Sequence, residues 1–375
     1  MKAKYAVFSI ILVTFSVCCQ RRTEPLVPLL ENKQPIHTYG AENSGHYYKA
    51  IDNYTVDQNG NTFLWDSISG DRIDVYNDEG QFLFQFGRKG QGPGEFRAVG
   101  TLAVDAKGNN WISSGNIKSL KVFSERGEYK EDVLLPKEFA VSYIQKMVFN
   151  TDDDLFLMCS FIGNVISLYR FDHGKNQCQL IHSESKRIET TLANFRPDFA
   201  LDVEGNIYII DTVDYRIYKY AKDGKLLFTF EVPEFKKDRI VEEDFNVFAD
   251  SDFKIIRFPR YKEIMDVLRG PSQYFPAIFG INIDRDTIYV WTSKQDEMKR
   301  FMIDVYDMSF KKKCRSCYFN SIRHNMAQMI KGRLYIPSIE NENIQVTKNA
   351  GRLTMLNFAD QLNVYAVSRK LHNEH

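Results

Sequence analysis

Residues 57–65 read Asp-Gln-Asn-Gly-Asn-Thr-Phe-Leu-Trp, and this pattern of a polar turn before an apolar run recurs along the chain. Residues 105–112 read Asp-Ala-Lys-Gly-Asn-Asn-Trp-Ile, and residues 202–210 read Asp-Val-Glu-Gly-Asn-Ile-Tyr-Ile-Ile. Degenerate copies of the pattern begin at Asn150, Asp284 and Lys331. The chain is therefore built from a repeated module.

Each Asp-x-x-Gly-Asn unit predicts a β-hairpin. The Asp side chain accepts hydrogen bonds from the backbone beyond it, and Gly and Asn adopt the positive φ angles of a tight turn. A third alternating run follows, as in Arg72–Tyr76, and a glycine turn then precedes a fourth run, as in Phe82–Phe86. We assign Asp57, Asp105, Asp202 and Asp284 a structural role in these turns, which explains all four without a metal site.

A module of four antiparallel strands in roughly 40 to 50 residues, rich in aromatic side chains, matches the blade of a β-propeller. Six modules fit residues 46–367, so we predict an all-β fold, a six-bladed β-propeller of four-stranded antiparallel blades. One blade cannot cover its two apolar faces, so neighbouring blades must pack around an axis and the ring must close. We expect a strand within residues 47–55 to close the ring with the last blade. A solenoid or a pair of sandwiches is the alternative architecture.

Three segments depart from the repeat. Residues 233–280 contain stretches with amphipathic helical periodicity, which predict a short helical insertion between blades. Residues 19–45 are polar and contain three prolines, which is typical of a tether. Residues 368–375 are assigned to a C-terminal tail.

The first residues of the chain carry an export signal. Lys2 and Lys4 precede an apolar run from Tyr5 to Val17. This run has about thirteen residues and is interrupted by Ser and Thr, whereas a membrane-spanning helix needs roughly twenty apolar residues. We therefore assign residues 1–18 to a signal peptide; a short hydrophobic strand is the alternative.

The apolar run ends at Cys18 and Cys19, and a cysteine in this position resembles the lipobox of bacterial lipoproteins. The resemblance implies that one cysteine receives a diacylglyceryl group and becomes the mature N-terminus. Lipidation of Cys19 is favoured over lipidation of Cys18, because Cys18 is closer than Val17 to the small residue that usually precedes the modified cysteine. A cleaved, soluble exported protein is the alternative.

The charge composition disfavours nucleic acid as a partner. Lysines and arginines number 49, and aspartates and glutamates also number 49, so no net field attracts a polyanion. No segment beyond the N-terminal run is long and apolar enough to cross a bilayer. We therefore expect membrane contact through the lipid anchor only.

Residues 86–96, Phe-Gly-Arg-Lys-Gly-Gln-Gly-Pro-Gly-Glu-Phe, and the Leu-Ala-Val-Asp at 102–105 resemble the NHL-repeat propellers. The segment is most similar to the six-bladed propeller lipoproteins of Bacteroides-type bacteria. In that family the glycine-rich stretch links the outer strand of one blade to the inner strand of the next, which implies a structural position for Phe96 between blades one and two. The family's D-x-x-N-x-R signature is matched approximately by residues 211–216, which implies a structural role for Arg216.

Basic side chains beside the glycine run are the candidate ligand-binding residues. Arg88, Lys89 and Arg97 are placed to line a binding face for an anionic or sugar-like ligand, although an isolated basic loop is more often simply solvated. The histidines are scattered, and no H-x-H, H-E-x-x-H or G-x-S-x-G motif sets up a metal or a nucleophile. The sequence thus predicts no catalytic residue, no metal and no cofactor.

Two classes of function remain after these observations. The first is a non-enzymatic propeller that binds a protein, peptide or glycan at the cell envelope. The second is a hydrolase or lyase of the same architecture with a metal site at the mouth of the central channel. The absence of a readable catalytic motif favours the binding module.

Overall fold

The computed structural model describes the strands of the molecule and most of their turns. The described residues are 26–30, 34–40, 46, 48, 51–66, 72–114, 118–137, 139, 142–161, 165–185, 198–211, 214–236, 277–295, 301–318, 327–338 and 361–367. The signal peptide, Cys18 and Cys19, residues 237–276 of the expected insertion and the C-terminal tail lie outside them. Within the described residues, no helix has the length and apolarity of a membrane span.

The strands form six sheets arranged as the blades of a propeller. Two N-terminal strands, β1 (Leu26–Pro28) and β2 (His37–Tyr39), precede the first blade. Blade one contains β3 (Ile51–Val56), β4 (Thr62–Asp66), β5 (Ile73–Tyr76) and β6 (Phe82–Phe86). A two-stranded link follows, made of β7 (Arg88–Lys89) and β8 (Glu95–Phe96). Blade two contains β9 (Val99–Val104), β10 (Asn110–Ser114), β11 (Ser119–Phe123) and β12 (Tyr129–Leu134).

The remaining blades repeat this meander. Blade three contains β13 (Ser142–Phe149), β14 (Leu155–Phe161), β15 (Val165–Asp172) and β16 (Gln177–Ser185). Blade four contains β17 (Phe199–Leu201), β18 (Ile207–Asp211), β19 (Arg216–Tyr220) and β20 (Leu226–Glu231). Blade five contains β21 (Ile278–Asp284), β22 (Thr287–Gln295), β23 (Phe301–Asp307) and β24 (Lys312–Tyr318). Blade six contains β25 (Gln328–Ile330), β26 (Arg333–Ser338) and β27 (Gln361–Ala366). The predicted all-β six-bladed fold is confirmed.

The ring closes through β2, which was not the strand expected from the sequence. β2 pairs antiparallel with β27 as the outermost strand of blade six, with Thr38 opposite Asn363 and Tyr39 opposite Leu362. The expected closing segment, residues 47–55, instead contributes to β3, the innermost strand of blade one, which pairs with β4. Closure therefore uses a shorter segment nearer the N-terminus.

Part of the expected tether is also built into the ring. β1 pairs parallel with β24 as a fifth strand at the outer edge of blade five. Together with β2, this means that residues 19–45 are not a plain spacer in their described parts. Ile278–Gly280, at the C-terminal end of the expected insertion, belong to β21.

Apolar clusters between neighbouring blades form the core. Phe63 and Trp65 of blade one pack on Leu102 and Ile112 of blade two, and equivalent clusters lie between the blade pairs two–three, three–four, four–five and six–one. Every residue of β4 is buried, because alternate side chains face opposite neighbours. This explains why second strands such as β14 and β18 are near-continuous apolar runs rather than alternating ones.

Two buried aspartates hold hydrogen bonds at blade interfaces. In the cluster between blades six and one, the Tyr48 hydroxyl donates to Asp74 Oδ2 at 2.7 Å and lies 2.7 Å from the Tyr76 hydroxyl. The Arg72 guanidinium donates to the other oxygen of Asp74 at 3.0 Å. Burial raises the pKa of Tyr76 to about 12, so the ring stays neutral and keeps this network near neutral pH. A buried carboxylate is tolerated here because each of its oxygens has a donor.

The same arrangement recurs between blades four and five. The Tyr215 hydroxyl of blade four donates to Asp304 Oδ2 at 3.0 Å and lies 2.9 Å from the Tyr306 hydroxyl. Arg315 Nε donates to Asp304 Oδ1 at 2.7 Å. Residues 73–76 and 303–306 both read Ile-Asp-Val-Tyr, so one sequence places the same buried acid on the third strand of two blades.

The innermost strands are joined by polar contacts around the channel. Lys146 Nζ of blade three lies 2.5 Å from Asp198 Oδ1 and 2.7 Å from the Phe199 carbonyl oxygen of blade four. Asp198 Oδ2 in turn accepts from the Ile281 amide of blade five at 3.0 Å. One carboxylate thus connects three successive blades, and its negative charge is paired with the Lys146 ammonium group.

Candidate functional site

The antiparallel meander sorts the connections onto two faces of the disc. The turns between first and second strands and between third and fourth strands share one face, which we call the hairpin face. The connections between second and third strands and between successive blades share the opposite face.

The recurrent aspartates lie in turns of the hairpin face. Asp57 Oδ1 accepts from the amides of Asn59 and Asn61, both at 2.8 Å, and Asp57 Oδ2 accepts from the Asn61 side chain at 2.8 Å. Gly60 has a φ of 90°, in the left-handed region that favours glycine. This carboxylate is occupied by its own turn, as are the carboxylates of Asp105 and Asp202.

Two of the degenerate copies use different chemistry. In blade three the roles are exchanged, since Asn150 Oδ1 accepts from two amides and its amide group donates to Asp154 Oδ2 at 3.1 Å. In blade five Asp284 Oδ2 accepts from the Gly332 amide of blade six at 2.6 Å. The sequence treated Asp284 as one more turn residue, but the structure uses it to join two blades.

The glycine-rich link organises around Glu95 and Phe96. Glu95 Oε2 accepts from the amides of Gln91 at 3.0 Å and Gly92 at 2.9 Å, which lowers the pKa of the carboxyl group. Arg88 Nε lies 2.8 Å from Glu95 Oε1, so the guanidinium charge is offset within the link. Phe96 is buried in the cluster between blades one and two.

Gly87 is required by the position of Phe96. A Cβ at residue 87 would lie 2.2 Å from Phe96 Cζ, and the φ of Gly87 is 79°. Lys89 and Arg97 are exposed, while Arg88 faces Glu95. The structure therefore does not gather the three basic residues singled out by the sequence around a cavity.

Arg216 clamps the connection at the end of β18. Its Nη1 lies 3.3 Å from Asp211 Oδ2, and its Nε lies 2.5 Å from Glu231 Oε1. The contacts tie three strands of blade four together.

A groove of about 580 Å³ opens on the hairpin face between blades two and three. Its floor contains the Trp111 and Phe149 rings, with centroids 5.6 Å apart, and the exposed His173 ring lies 5.2 Å from the Trp111 ring. Trp111 Nε1 donates to Asp105 Oδ2 at 3.0 Å, which fixes the indole. We call this cavity the interblade groove.

Polar side chains line the walls of the interblade groove. Lys130 Nζ of β12 lies 2.7 Å from Asn109 Oδ1. Asp132 of the same strand points away from the groove, because its carboxylate pairs with Lys121 Nζ at 3.1 Å on the face of blade two that packs against blade one. The other charged or amide side chains of the lining are Asp105, Lys107, Glu131, Asp153 and Asn176.

A contact between the two turns that border the groove holds its walls together. The Ala106 amide of blade two donates to Asp153 Oδ1 of blade three at 2.9 Å. Because both turns are themselves held by side-chain to backbone hydrogen bonds, the walls have a fixed separation. The groove is consequently a preformed feature of the blade contact.

Sequence reasoning missed this groove for a physical reason. Its residues come from four strands and three turns of two blades, and Trp111 was interpreted only as a core residue of a second strand. Asp105 was the one lining residue that the sequence singled out, and it was assigned to a turn rather than to a binding site. The available signal was that the second hairpin of blade three reads His173-Gly-Lys-Asn176 where other blades carry an acidic or small turn.

The described residues contain no assembled set of metal ligands. Among those residues, no three His, Cys, Asp or Glu side chains are grouped so that they could hold a metal ion. The recurrent aspartates are separated from one another by the ring and are engaged in their turns.

Comparisons with known proteins agree on the fold. Residues 48–145, which span blades one and two, match the model of the DUF5128 family, described as a 6-bladed beta-propeller. No curated protein matches the sequence. Among solved structures, a member of the DUF4221 family from Bacteroides vulgatus is similar, with a TM-score of 0.55 and 12% identity over 92% of this chain and 96% of that chain.

Two further solved structures show the same likeness. A Bacteroides fragilis protein, named as an exported protein, has a TM-score of 0.50 and 14% identity over 91% of this chain and 94% of that chain. Regucalcin from Agrobacterium tumefaciens, a calcium-binding protein, has a TM-score of 0.49 and 11% identity over 92% of this chain and 96% of that chain. At these identities, the likeness to the two Bacteroides proteins shows the fold alone.

The position of Phe96 yields a prediction about stability. Phe96→Ala removes a fully buried ring between blades one and two and should lower the free energy of unfolding by roughly 3 to 5 kcal/mol. The matched control Lys89→Ala changes an exposed residue of the same link and should alter that free energy by less than about 0.5 kcal/mol. Urea denaturation of both variants measures the difference, and an unchanged midpoint for Phe96→Ala would contradict the buried role.

Proposed function

We propose that this chain is a non-enzymatic binding propeller of the bacterial cell envelope, which holds a protein, peptide or glycan ligand in the interblade groove. The single observation that carries the proposal is the composition of that groove. It combines an aromatic floor with polar walls, the combination by which binding sites orient a ligand. The six-bladed ring acts as the rigid support.

The groove is well prepared for binding because its side chains are already held. Trp111 is fixed by Asp105 and Lys130 by Asn109. A side chain that is ordered before the ligand arrives loses little conformational entropy when the ligand binds. The groove therefore offers recognition without rearrangement of the blades.

Two buried tyrosines with raised pKa values lie away from the groove. Burial raises the pKa of Tyr39 and of Tyr76 to about 12, and both tyrosines lie in the cluster between blades six and one. Catalytic groups are usually those whose pKa is shifted toward the operating pH within a cleft. These tyrosines are shifted away from it and hold blade contacts.

The export signal places the propeller in the envelope in this proposal. Residues 1–18 direct export, and lipid on Cys19 or Cys18 tethers the chain to a membrane. The segment between the cysteines and β1 is short, since β1 begins at Leu26, so the outer edge of blade five is held near the membrane surface. Blades two and three lie elsewhere on the ring, which leaves the groove accessible.

A lipid anchor at Cys19 or Cys18 predicts that the protein incorporates fatty acid. Cells that express the full chain and are fed an alkyne fatty acid should label the protein, and the label should be lost in the Cys18→Ala, Cys19→Ala double variant, which should leave the membrane fraction. The Cys314→Ala variant is the control and should label normally. Label and membrane association that persist in the double variant would show that the anchor is not at these cysteines.

If the groove holds the ligand, a bulky side chain placed in it should block ligand retention. Lys107 is the exposed third residue of the blade-two turn and lines the groove, so Lys107→Trp should fill the cavity. Asn59 occupies the same turn position in blade one, away from the groove, and Asn59→Trp is the matched control. The measurement is retention of the separated envelope glycan and envelope peptide fractions of a Bacteroides strain on immobilised chain.

The wild type and Asn59→Trp should retain the same component of one fraction, and Lys107→Trp should lose it. Equal retention by Lys107→Trp, or no retention by the wild type, would overturn the binding role of the groove. Circular dichroism of the three proteins checks that the substituted turns remain folded.

A further inference from the structure

We infer that the ligand of the interblade groove is a neutral carbohydrate. This inference rests on the proposed binding function and names the ligand class of the same site. It is carried by three independent properties of the groove: the rings of its floor, the balance of its charges and the hydrogen-bonding character of its walls.

The floor of the groove suits the apolar face of a sugar ring. The His173 and Trp111 rings are tilted by 59° and the Trp111 and Phe149 rings by 63°, so the three rings form a corner rather than a slot for a flat aromatic ligand. A pyranose presents C–H groups on one face, which pack on aromatic rings, and carries its hydroxyl groups around the rim. The exposed His173 ring is the surface on which such a face can stack.

The charges of the lining disfavour an ionic ligand. Three carboxylates, Asp105, Glu131 and Asp153, would repel an anion such as a phosphate or an acidic polymer. The two lysines, Lys107 and Lys130, offset most of this negative charge, so the lining also has little net attraction for a cation. A neutral ligand needs no counter-charge.

The walls offer donors and acceptors in close alternation. Carboxylates only accept hydrogen bonds, lysine ammonium groups only donate, and the amides of Asn109 and Asn176 do both. A hydroxyl group also donates and accepts, so a polyol can pair with carboxylates, ammonium groups and amides alike. Strong hydrogen bonds from hydroxyls to carboxylates then supply specificity.

The neighbouring strand argues against an extended peptide as the occupant. β12 forms the open outer edge of blade two, and its central residues are Lys130, Glu131 and Asp132. Charged side chains on an edge strand oppose the addition of another strand. The cavity of about 580 Å³ is within the range of small-ligand sites, roughly 300 to 1,000 Å³, and accommodates a short oligosaccharide.

The test titrates the mature chain with neutral oligosaccharides by isothermal titration calorimetry. The probes are hexasaccharides of α-1,4-glucose, β-1,4-glucose, β-1,4-xylose and β-1,4-mannose and a tetrasaccharide of N-acetylglucosamine, with an oligogalacturonate as the anionic comparison. At least one neutral probe should bind, and the oligogalacturonate should not. His173→Ala and Glu131→Ala should each weaken that binding by about tenfold or more.

The control is Lys175→Ala, which alters an exposed residue of the same turn as His173 that is not part of the groove lining. It should leave the affinity within about twofold of the wild type, a change well under 1 kcal/mol. Lys107→Trp should abolish the binding. Affinity that survives in His173→Ala and Lys107→Trp would show that the sugar binds elsewhere and would overturn the inference.

The two proposals fail in different ways. If no neutral oligosaccharide or envelope glycan binds but a peptide is retained and is lost in Lys107→Trp, the carbohydrate inference is wrong and the binding role of the groove stands. If neither the glycan nor the peptide fraction responds to Lys107→Trp, both are wrong. Preferential binding of the oligogalacturonate would overturn the charge argument and with it the choice of a neutral ligand.

Discussion

Every blade of this protein has two apolar faces, and a face can be covered only by a neighbouring blade. The constraint is visible in β4, all of whose residues are buried, with Phe63 and Trp65 facing blade two and Leu64 in the cluster shared with blade six. An open ring would expose a face at each end and leave unpaired edges. Closure by β2 is therefore the condition on which the other contacts depend.

The polar contacts reinforce closure without providing its main driving force. Asp74 and Asp304 lie on equivalent strands and accept from tyrosines within the six–one and four–five clusters, and Asp198 connects three inner strands. Buried groups of this kind cost free energy when a partner is missing, so they penalise a slipped or open arrangement more than they stabilise the correct one. They specify how the blades meet.

Local sequence patterns predicted the blades because a hairpin is a local structure. The turn residues Asp57, Asp105 and Asp202 signalled the hairpins, and Phe96 follows a glycine run that the structure folds around its ring. The closing strand escaped prediction because β2 is only His-Thr-Tyr, too short to show an alternating pattern, and pairs with residues more than three hundred positions away.

The interblade groove escaped prediction for a related reason. Trp111 and His173 meet only when blades two and three pack, and neither lies in a motif. The sequence pointed instead to Arg88 because a basic loop is visible locally, whereas the structure pairs that guanidinium with Glu95. In this propeller, the residues that recur from blade to blade indicate the scaffold. The candidate site is formed by residues of two neighbouring blades that do not recur.

Closure of the ring through β2 is tested most directly by a disulfide across β2 and β27. Thr38 lies opposite Asn363, and the Thr38 hydroxyl donates to Asn363 Oδ1 at 2.7 Å, so Thr38→Cys with Asn363→Cys should form a disulfide in air. The shifted pair, Thr38→Cys with Gln361→Cys, is the control. Peptide mapping by mass spectrometry should find the link in the first pair alone, and the linked protein should melt at a higher temperature than its reduced form, because the link closes a very long loop. Two free thiols in the first pair, or equal linkage in both, would contradict closure by β2.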